Sequence, residues 1–133
     1  MKKQFSKAWI GSRQARKQRK YLANAPQHIE QRLLSSHLSK DLRKKYSRRS
    51  FPLKKGDMVK VMRGKLAKKF GKVSVIDVKN TRVAIEGIQV TKKEGIKVNT
   101  WFHASNLQII ELNLEDKRRL DSIKKENKQE AKK

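Results

Sequence analysis

The chain has 133 residues, with 36 Lys and Arg against 12 Asp and Glu, a net charge of +24, and no cysteine. The length allows one compact domain with extensions or two very small units, and the absence of cysteine excludes disulfide scaffolds, zinc ribbons, iron–sulfur sites and thiol catalysis. No apolar run approaches the roughly 18–20 residues of a membrane span, and no apolar stretch follows the basic start as in a secretory signal. So small a particle at +24 repels itself. Nucleic acid is the expected counter-charge, because each phosphate contact also releases a counterion. An anionic membrane surface would require a basic amphipathic helix with Trp, Phe and Leu on its other face, and none is read. The expectation is a soluble, intracellular, polyanion-binding protein.

Charge divides the chain into three parts. Residues 1–50 carry net +13, residues 51–112 net +8 and residues 113–133 net +3. They are expected to be a basic N-terminal arm with short helices, a small β barrel, and a C-terminal helix with a frayed tail. In the arm, Ser12 is placed to cap a helix running to about Asn24, which Pro26 ends. This helix is polar nearly all round, so its Arg13, Arg16, Lys17, Arg19 and Lys20 are candidates for phosphate. Gln27–Ser36 is ambiguous between helix and extended chain. A second short helix is predicted over Leu38–Tyr46, with Leu38, Leu42 and Tyr46 spaced i, i+4, i+8 on one face. Arg32, Arg43, Lys44, Lys45, Arg48 and Arg49 complete the arm's candidate RNA contacts.

From residue 51 the period changes to two. Val59 and Val61 alternate with Lys60. Val73 and Val75 alternate with Lys72 and Ser74, and then the phase slips so that Ile76 and Val78 continue, which predicts a bulge or bend. Val83 and Ile85, Ile88 and Val90, Ile96 and Val98, and Leu107 and Ile109 supply further short strands. Five of the six glycines fall between residues 56 and 95. Short alternating strands between Gly and Asn turns argue for a mainly β fold, a small antiparallel barrel. Beyond it, Asn113 is read as the cap of a helix over Leu114–Asn127, with Glu115–Arg119 and Asp121–Lys125 as i,i+4 pairs.

Catalysis has little to work with. His28, His37 and His103 show no metal-ligand spacing, and no nucleophile elbow or phosphate loop is present. The chain is read as no enzyme, with no metal and no cofactor. The informative stretch is Lys55-Gly56-Asp57-Met58-Val59-Lys60-Val61-Met62-Arg63-Gly64, followed by Gly71-Lys72-Val73-Ser74-Val75-Ile76. It is a strand, a basic loop and a second strand. Gly64 and Gly71 permit backbone conformations or close approaches that a Cβ would block. Lys60, Arg63, Lys65, Lys68, Lys69 and Lys72 put positive charge on or beside a loop held at both ends, which loses less entropy on docking than a free tail.

This pattern resembles the KOW motif. The position usually held by a second glycine, three residues before the one matched by Gly71, is Lys68 here, a departure that bears on the loop's conformation. The flanks add Ala25-Pro26-Gln27-His28-Ile29, Leu38-Ser39-Lys40-Asp41-Leu42-Arg43, Lys45-Tyr46 and Arg49-Ser50-Phe51-Pro52-Leu53. Downstream come His103-Ala104-Ser105-Asn106-Leu107 and Leu112-Asn113-Leu114-Glu115-Asp116. Together they resemble the archaeal and eukaryotic form of the universal KOW-containing large-subunit ribosomal protein, number twenty-four in the bacterial scheme and twenty-six in the eukaryotic, over roughly residues 10–125.

The resemblance implies an SH3-like barrel with extensions and a structural role in the large ribosomal subunit. It implies binding to the 5′ domain of the large-subunit rRNA, support of early assembly, and a place near the nascent-peptide tunnel exit. Neighbouring ribosomal proteins and targeting factors at the exit are the implied protein partners. The alternative is a KOW-type transcription elongation or antitermination factor, which usually has a further domain ahead of its KOW unit. Among the aromatics, Tyr21, Tyr46 and Trp9 lie between basic residues and suit stacking on unpaired bases. Tyr46 equally suits packing on Leu38 and Leu42, and that reading is preferred. Trp9 suits RNA or a neighbouring protein. Trp101 and Phe102 suit either core or a protein-facing patch. Phe70, beside Gly71, reads as an apolar tip on a basic loop, a wedge for RNA. Deletion of residues 1–50 is expected to leave a folded barrel that binds RNA weakly.

Overall fold

The structure is a computed structural model that describes residues 5, 6, 8–119 and 121. Three short helices, α1 (Ala15–Ala23), α2 (Gln27–Leu33) and α3 (Lys40–Tyr46), lie in the first third. Seven strands follow or interleave them: β1 (Ser35–Leu38), β2 (Ser50–Pro52), β3 (Met58–Val61), β4 (Phe70–Asp77), β5 (Arg82–Thr91), β6 (Lys97–His103) and β7 (Leu107–Glu111). They form one sheet in the order β2-β1-β7-β3-β4-β5-β6. The fold is mainly β, as expected of an SH3-like barrel with helical extensions.

Alternation explains the core. Val59, Val61, Val73, Val83, Ile85, Ile88, Leu107 and Ile109 all turn inward and are buried, each burial stabilising by about 1.5–3 kcal/mol for a full-sized aliphatic side chain. The sheet bends where its ladders slip. Between β4 and β5 the register shifts between Val73 and Val75, one residue ahead of the predicted phase slip, so Val75 faces out and Ile76 packs on the core. Between β5 and β6 it shifts between Ala84 and Gln89, around Gly87 with φ +76°. Beyond that shift the β5–β6 hairpin runs past the core, which leaves Val90, Ile96 and Val98 exposed although their alternation matches buried strands. Phe102 joins the core while its neighbour Trp101 faces outward, as consecutive strand residues must.

The sheet also reaches back across residue 50. Leu34, Ser36 and Leu38 are buried, and β1 pairs with β2 on one side and β7 on the other. Its pairing with β7 is parallel, so the barrel is not wholly antiparallel as predicted. A parallel partner needs a long crossover, and here everything from α3 to the turn at Ala104–Asn106 lies between the two strands. The Ser36 hydroxyl donates to the Ala104 carbonyl and locks the crossing. Truncation at residue 50 would therefore remove core side chains, contrary to the expectation of a folded remainder.

Helix boundaries differ from expectation at their caps. The first helix begins at Ala15 with Gln14 as its N-cap, so Arg13 precedes it, while the Ser12 hydroxyl accepts the Gln14 N–H at 3.2 Å. Gln27–Ser36 forms helix and then strand. Leu38 belongs to β1, and α3 starts after Ser39, whose side chain accepts from the Leu42 N–H. Leu42 and Tyr46 pack against the core, the preferred reading of Tyr46.

The C-terminal segment is fastened by a buried ion pair. Asp57, fully buried, takes the Arg119 guanidinium on both oxygens, at 2.6 and 2.8 Å, and the backbone N–H groups of Asn113 and Lys54 at 2.9 and 2.8 Å. Arg119 also donates to the carbonyls of Asn113 and Pro52 and lies 5.2 Å over the Phe51 ring. The predicted Glu115–Arg119 helical pair is thus replaced, because the helical turn begins only at residue 117. Asp116, not Asn113, caps this turn, accepting the Arg118 N–H at 2.9 Å. Asn113 accepts from the Glu115 N–H at 3.0 Å. The predicted helix beyond this turn, with its Asp121–Lys125 pair, lies outside the described residues. Lys54 bonds to Asp116, and with the Arg118 N–H holds that carboxyl below the usual carboxylate range.

Candidate nucleic-acid interface

The β3–β4 hairpin carries a cationic cluster held between two strands. Residues 58–76 hold Lys60, Arg63, Lys65, Lys68, Lys69 and Lys72 and no carboxylate. Backbone bonds close its loop from both sides. The Val61 N–H donates to the Lys69 carbonyl at 2.8 Å and the Lys68 N–H to the Val61 carbonyl at 2.9 Å. The Ala67 N–H donates to the Gly64 carbonyl at 3.0 Å, and the Met62 N–H ties the base to the Asn106 carbonyl at 2.8 Å. Leu66 packs inward against the core. The loop's cations therefore stand on a fixed backbone.

The two glycines of the motif act differently. Gly64 has φ +93°, a conformation a side chain strains. Gly71 has no such angle, but a Cβ there would stand 2.8 Å from both the Glu86 carbonyl oxygen and Ile85 Cγ2, so it is the close approach of β4 to β5 that requires glycine. Lys68 takes φ +70°. It adopts the left-handed conformation natural to the glycine usual at this position of the motif, at about 1–2 kcal/mol for a residue with a Cβ. The backbone bonds on either side of it hold the loop in that shape.

The arm's candidates fall into two groups. Arg16, Lys17, Arg19 and Lys20 lie along α1, which has no buried residue, with Arg13 just ahead of it. Tyr21 stacks on Trp9 with ring centroids 4.1 Å apart and planes at 17°, and Phe5 leans on it at 4.8 Å. Two of the rings read as base-stacking candidates thus pack on each other, and with Lys17, Lys20 and Asn24 they line a small cavity. Arg32 ends α2 and is exposed. Around α3, some cations also serve the fold. Arg43 Nε donates to the Leu38 carbonyl at 3.0 Å, Lys45 Nζ lies 5.5 Å over the Tyr46 ring, and Arg48 lies 5.0 Å over Phe51. Lys44 and Arg49 are exposed.

The register adds a row that sequence reading missed. On the outer face, His37 of β1 stands opposite Gln108 of β7, Gln108 opposite Lys60 of β3, and Lys60 opposite Phe70 of β4. His103, in contrast, turns its Nδ1 to the Ser105 N–H and hydroxyl, a cap for the turn at Ala104–Asn106. Among the described residues no group of His, Asp and Glu is arranged to hold a metal, and no helix is long and apolar enough to cross a membrane.

Residues 12–126 match the family model that describes the eukaryotic ribosomal proteins L26 and their archaeal L24 counterparts. The chain is 44% identical over 112 residues to the large ribosomal subunit protein uL24 of Methanosphaera stadtmanae, covering 84% of this chain and 96% of that one. It is 44% identical to the protein of the same name from Sulfolobus acidocaldarius, covering 84% of each chain. A third relative of that name, from Methanoculleus marisnigri, is 47% identical over 114 residues, which are 86% of this chain and 94% of that one.

Proposed function

Since the chain belongs to the family of eukaryotic L26 and archaeal L24 ribosomal proteins, a family of structural components and not enzymes, we propose that it is built into the large ribosomal subunit by binding rRNA through the β3–β4 hairpin and the N-terminal arm. The observation that carries this reading is the hairpin itself, with six cations and no carboxylate across residues 58–76, four of them on a loop whose backbone is already closed. Such a surface binds phosphates and RNA shape, with Arg63 suited to gripping two oxygens at once. In the arm, Arg13, Arg16, Lys17, Arg19 and Lys20 serve as a second phosphate-binding strip. An isolated nine-residue helix is marginal in water, so we expect α1 to be ordered chiefly by the RNA it binds.

The finer assignments follow from family resemblance: the 5′ domain of the large-subunit rRNA as the target, a contribution to early assembly, and a place at the tunnel exit where targeting factors dock. The test is sedimentation of a cell lysate through sucrose at raised salt, following this protein across the gradient. Stoichiometric migration with the large subunit is the expected result. Migration with RNA polymerase would overturn the reading in favour of an elongation factor.

A further inference from the structure

Phe70 is the most exposed aromatic side chain of the barrel, at 69%, and it sits where a large apolar ring is least expected, amid the hairpin's cations. It is not on the tip of the loop. It opens β4, directly across from Lys60, and the burial of Val59, Val61 and Val73 on the other face fixes Lys60, Phe70 and Lys72 as outward-facing. Lys72, two residues on, faces Met58, and half-exposed Met62 follows Lys60 on the same face of the hairpin. Among the described residues no aromatic ring or cation is stacked on Phe70. A ring held within a ladder lies on a sheet surface, so it forms a platform, whereas a wedge must project from an edge or tip.

We propose that this face of the hairpin is a stacking subsite for one unpaired nucleotide of RNA, with the base on the Phe70 ring and the adjoining phosphates on Lys60 and Lys72. The inference rests on the RNA-binding reading above and adds a residue and a ligand class to it. Among the described residues Lys60 and Lys72 make no ion pair, with Glu111 set apart from Lys72 by the intervening Met58. An aromatic ring beside such cations matches a ligand that offers a π face and negative charge within a few ångströms of each other, as a nucleotide does. Paired A-form RNA offers only the charge, since its base faces are covered by their neighbours. An apolar protein surface would leave the lysines without counter-charge.

The test uses the full chain and an in vitro transcript of the 5′ domain of large-subunit rRNA, with binding measured over a range of salt concentrations. Phe70→Ala is expected to weaken binding roughly 5- to 100-fold at every salt concentration, without altering the slope of affinity against salt. Phe70→Trp is expected to restore it and Phe70→Leu to fail. On a fully paired RNA duplex, Phe70→Ala and the unaltered chain should bind alike. Equal binding of Phe70→Ala and the unaltered chain to the transcript would overturn the subsite, as would full rescue by Leu, which would indicate an apolar contact without stacking. Failure of the unaltered chain to bind the transcript would overturn the RNA-binding reading itself. The exposure of Phe70 means that each variant should melt like the parent, which a thermal scan checks.

Discussion

Helix α1 and the loop of the β3–β4 hairpin carry positive charge at nearly the same density, four cations in nine residues and four in the eight from 62 to 69. They are held in opposite ways. The helix buries no residue of its own. The loop is closed by backbone bonds and anchored by Leu66. A lysine on the loop would meet a phosphate with its backbone already fixed. A lysine on a helix with no packed face would meet it with more of the ordering still to be done, and the same charge would then yield less net affinity per contact. Cation number alone is therefore a poor guide to which segment dominates binding.

Truncation separates the two segments most strongly. Removal of residues 1–24 takes away eight Lys and Arg but no buried side chain of the core. RNA affinity near physiological salt should fall on the order of 100-fold or more, with the salt slope reduced by several units, while the melting temperature stays put. Unchanged affinity would show that α1 is not part of the interface. Removal of residues 1–50 should instead abolish cooperative unfolding, because it deletes Leu34 and Leu38 from the core, at about 2–5 kcal/mol each against a typical total of about 5–15 kcal/mol. Circular dichroism melts separate the two truncations.

Next in size is Asp57→Ala, which strands the Arg119 guanidinium in a buried site and should cost about 3–5 kcal/mol in a denaturant titration. A loss below about 1 kcal/mol would mean that the pair does not hold the base of the hairpin. Arg63→Ala and Lys72→Ala should each flatten the salt slope by about 0.7–0.9, and an unaltered slope would show that they touch no phosphate. The smallest effect concerns Lys68. Exchange for glycine relieves the left-handed strain of about 1–2 kcal/mol but loosens the unfolded chain by about 0.5–1 kcal/mol, so stability should rise by no more than about 1.5 kcal/mol. A loss of stability would mean that the Lys68 side chain itself holds the loop. Acid pH acts in the other direction at Asp116. Its carboxyl titrates below the ordinary aspartate value in the folded chain, so its link to Lys54 contributes above that ordinary value and is lost as pH falls through the lower, folded one. Asp116→Asn should flatten the acid limb of the stability curve.

Alternation made most of the barrel legible in advance, because Val59, Val61, Val83 and Ile109 follow a period that only a half-buried strand explains. What escaped was non-local. Ser35-Ser36-His37-Leu38 looks polar on its own, and its inward Ser36 is tolerable only because the Ala104 carbonyl, 68 residues away, receives its hydroxyl. Asp57 and Arg119 are 62 residues apart, and nothing near either predicts the pairing. Local alternation misled at Val90, Ile96 and Val98, where the hairpin outruns the core beneath it. The hairpin's cations are contiguous in sequence and so could be grouped by reading, whereas the row His37–Gln108–Lys60–Phe70 exists only through three ladders.

The parallel pairing of β1 with β7 also orders events in time. Strand β1 can pair with β2 soon after both emerge, but His37 waits for Gln108. During vectorial synthesis roughly 70 further residues must therefore emerge before β1 finds β7 on its other side, while the meander from β3 to β6 pairs locally as it appears. In that interval the newly made chain presents Leu34 and Leu38 unburied next to a stretch with five cations in the seven residues from 43 to 49. The mutual repulsion of that stretch keeps copies of the chain apart until the last strand arrives, so the same charge that suits a polyanion also guards the unfinished fold.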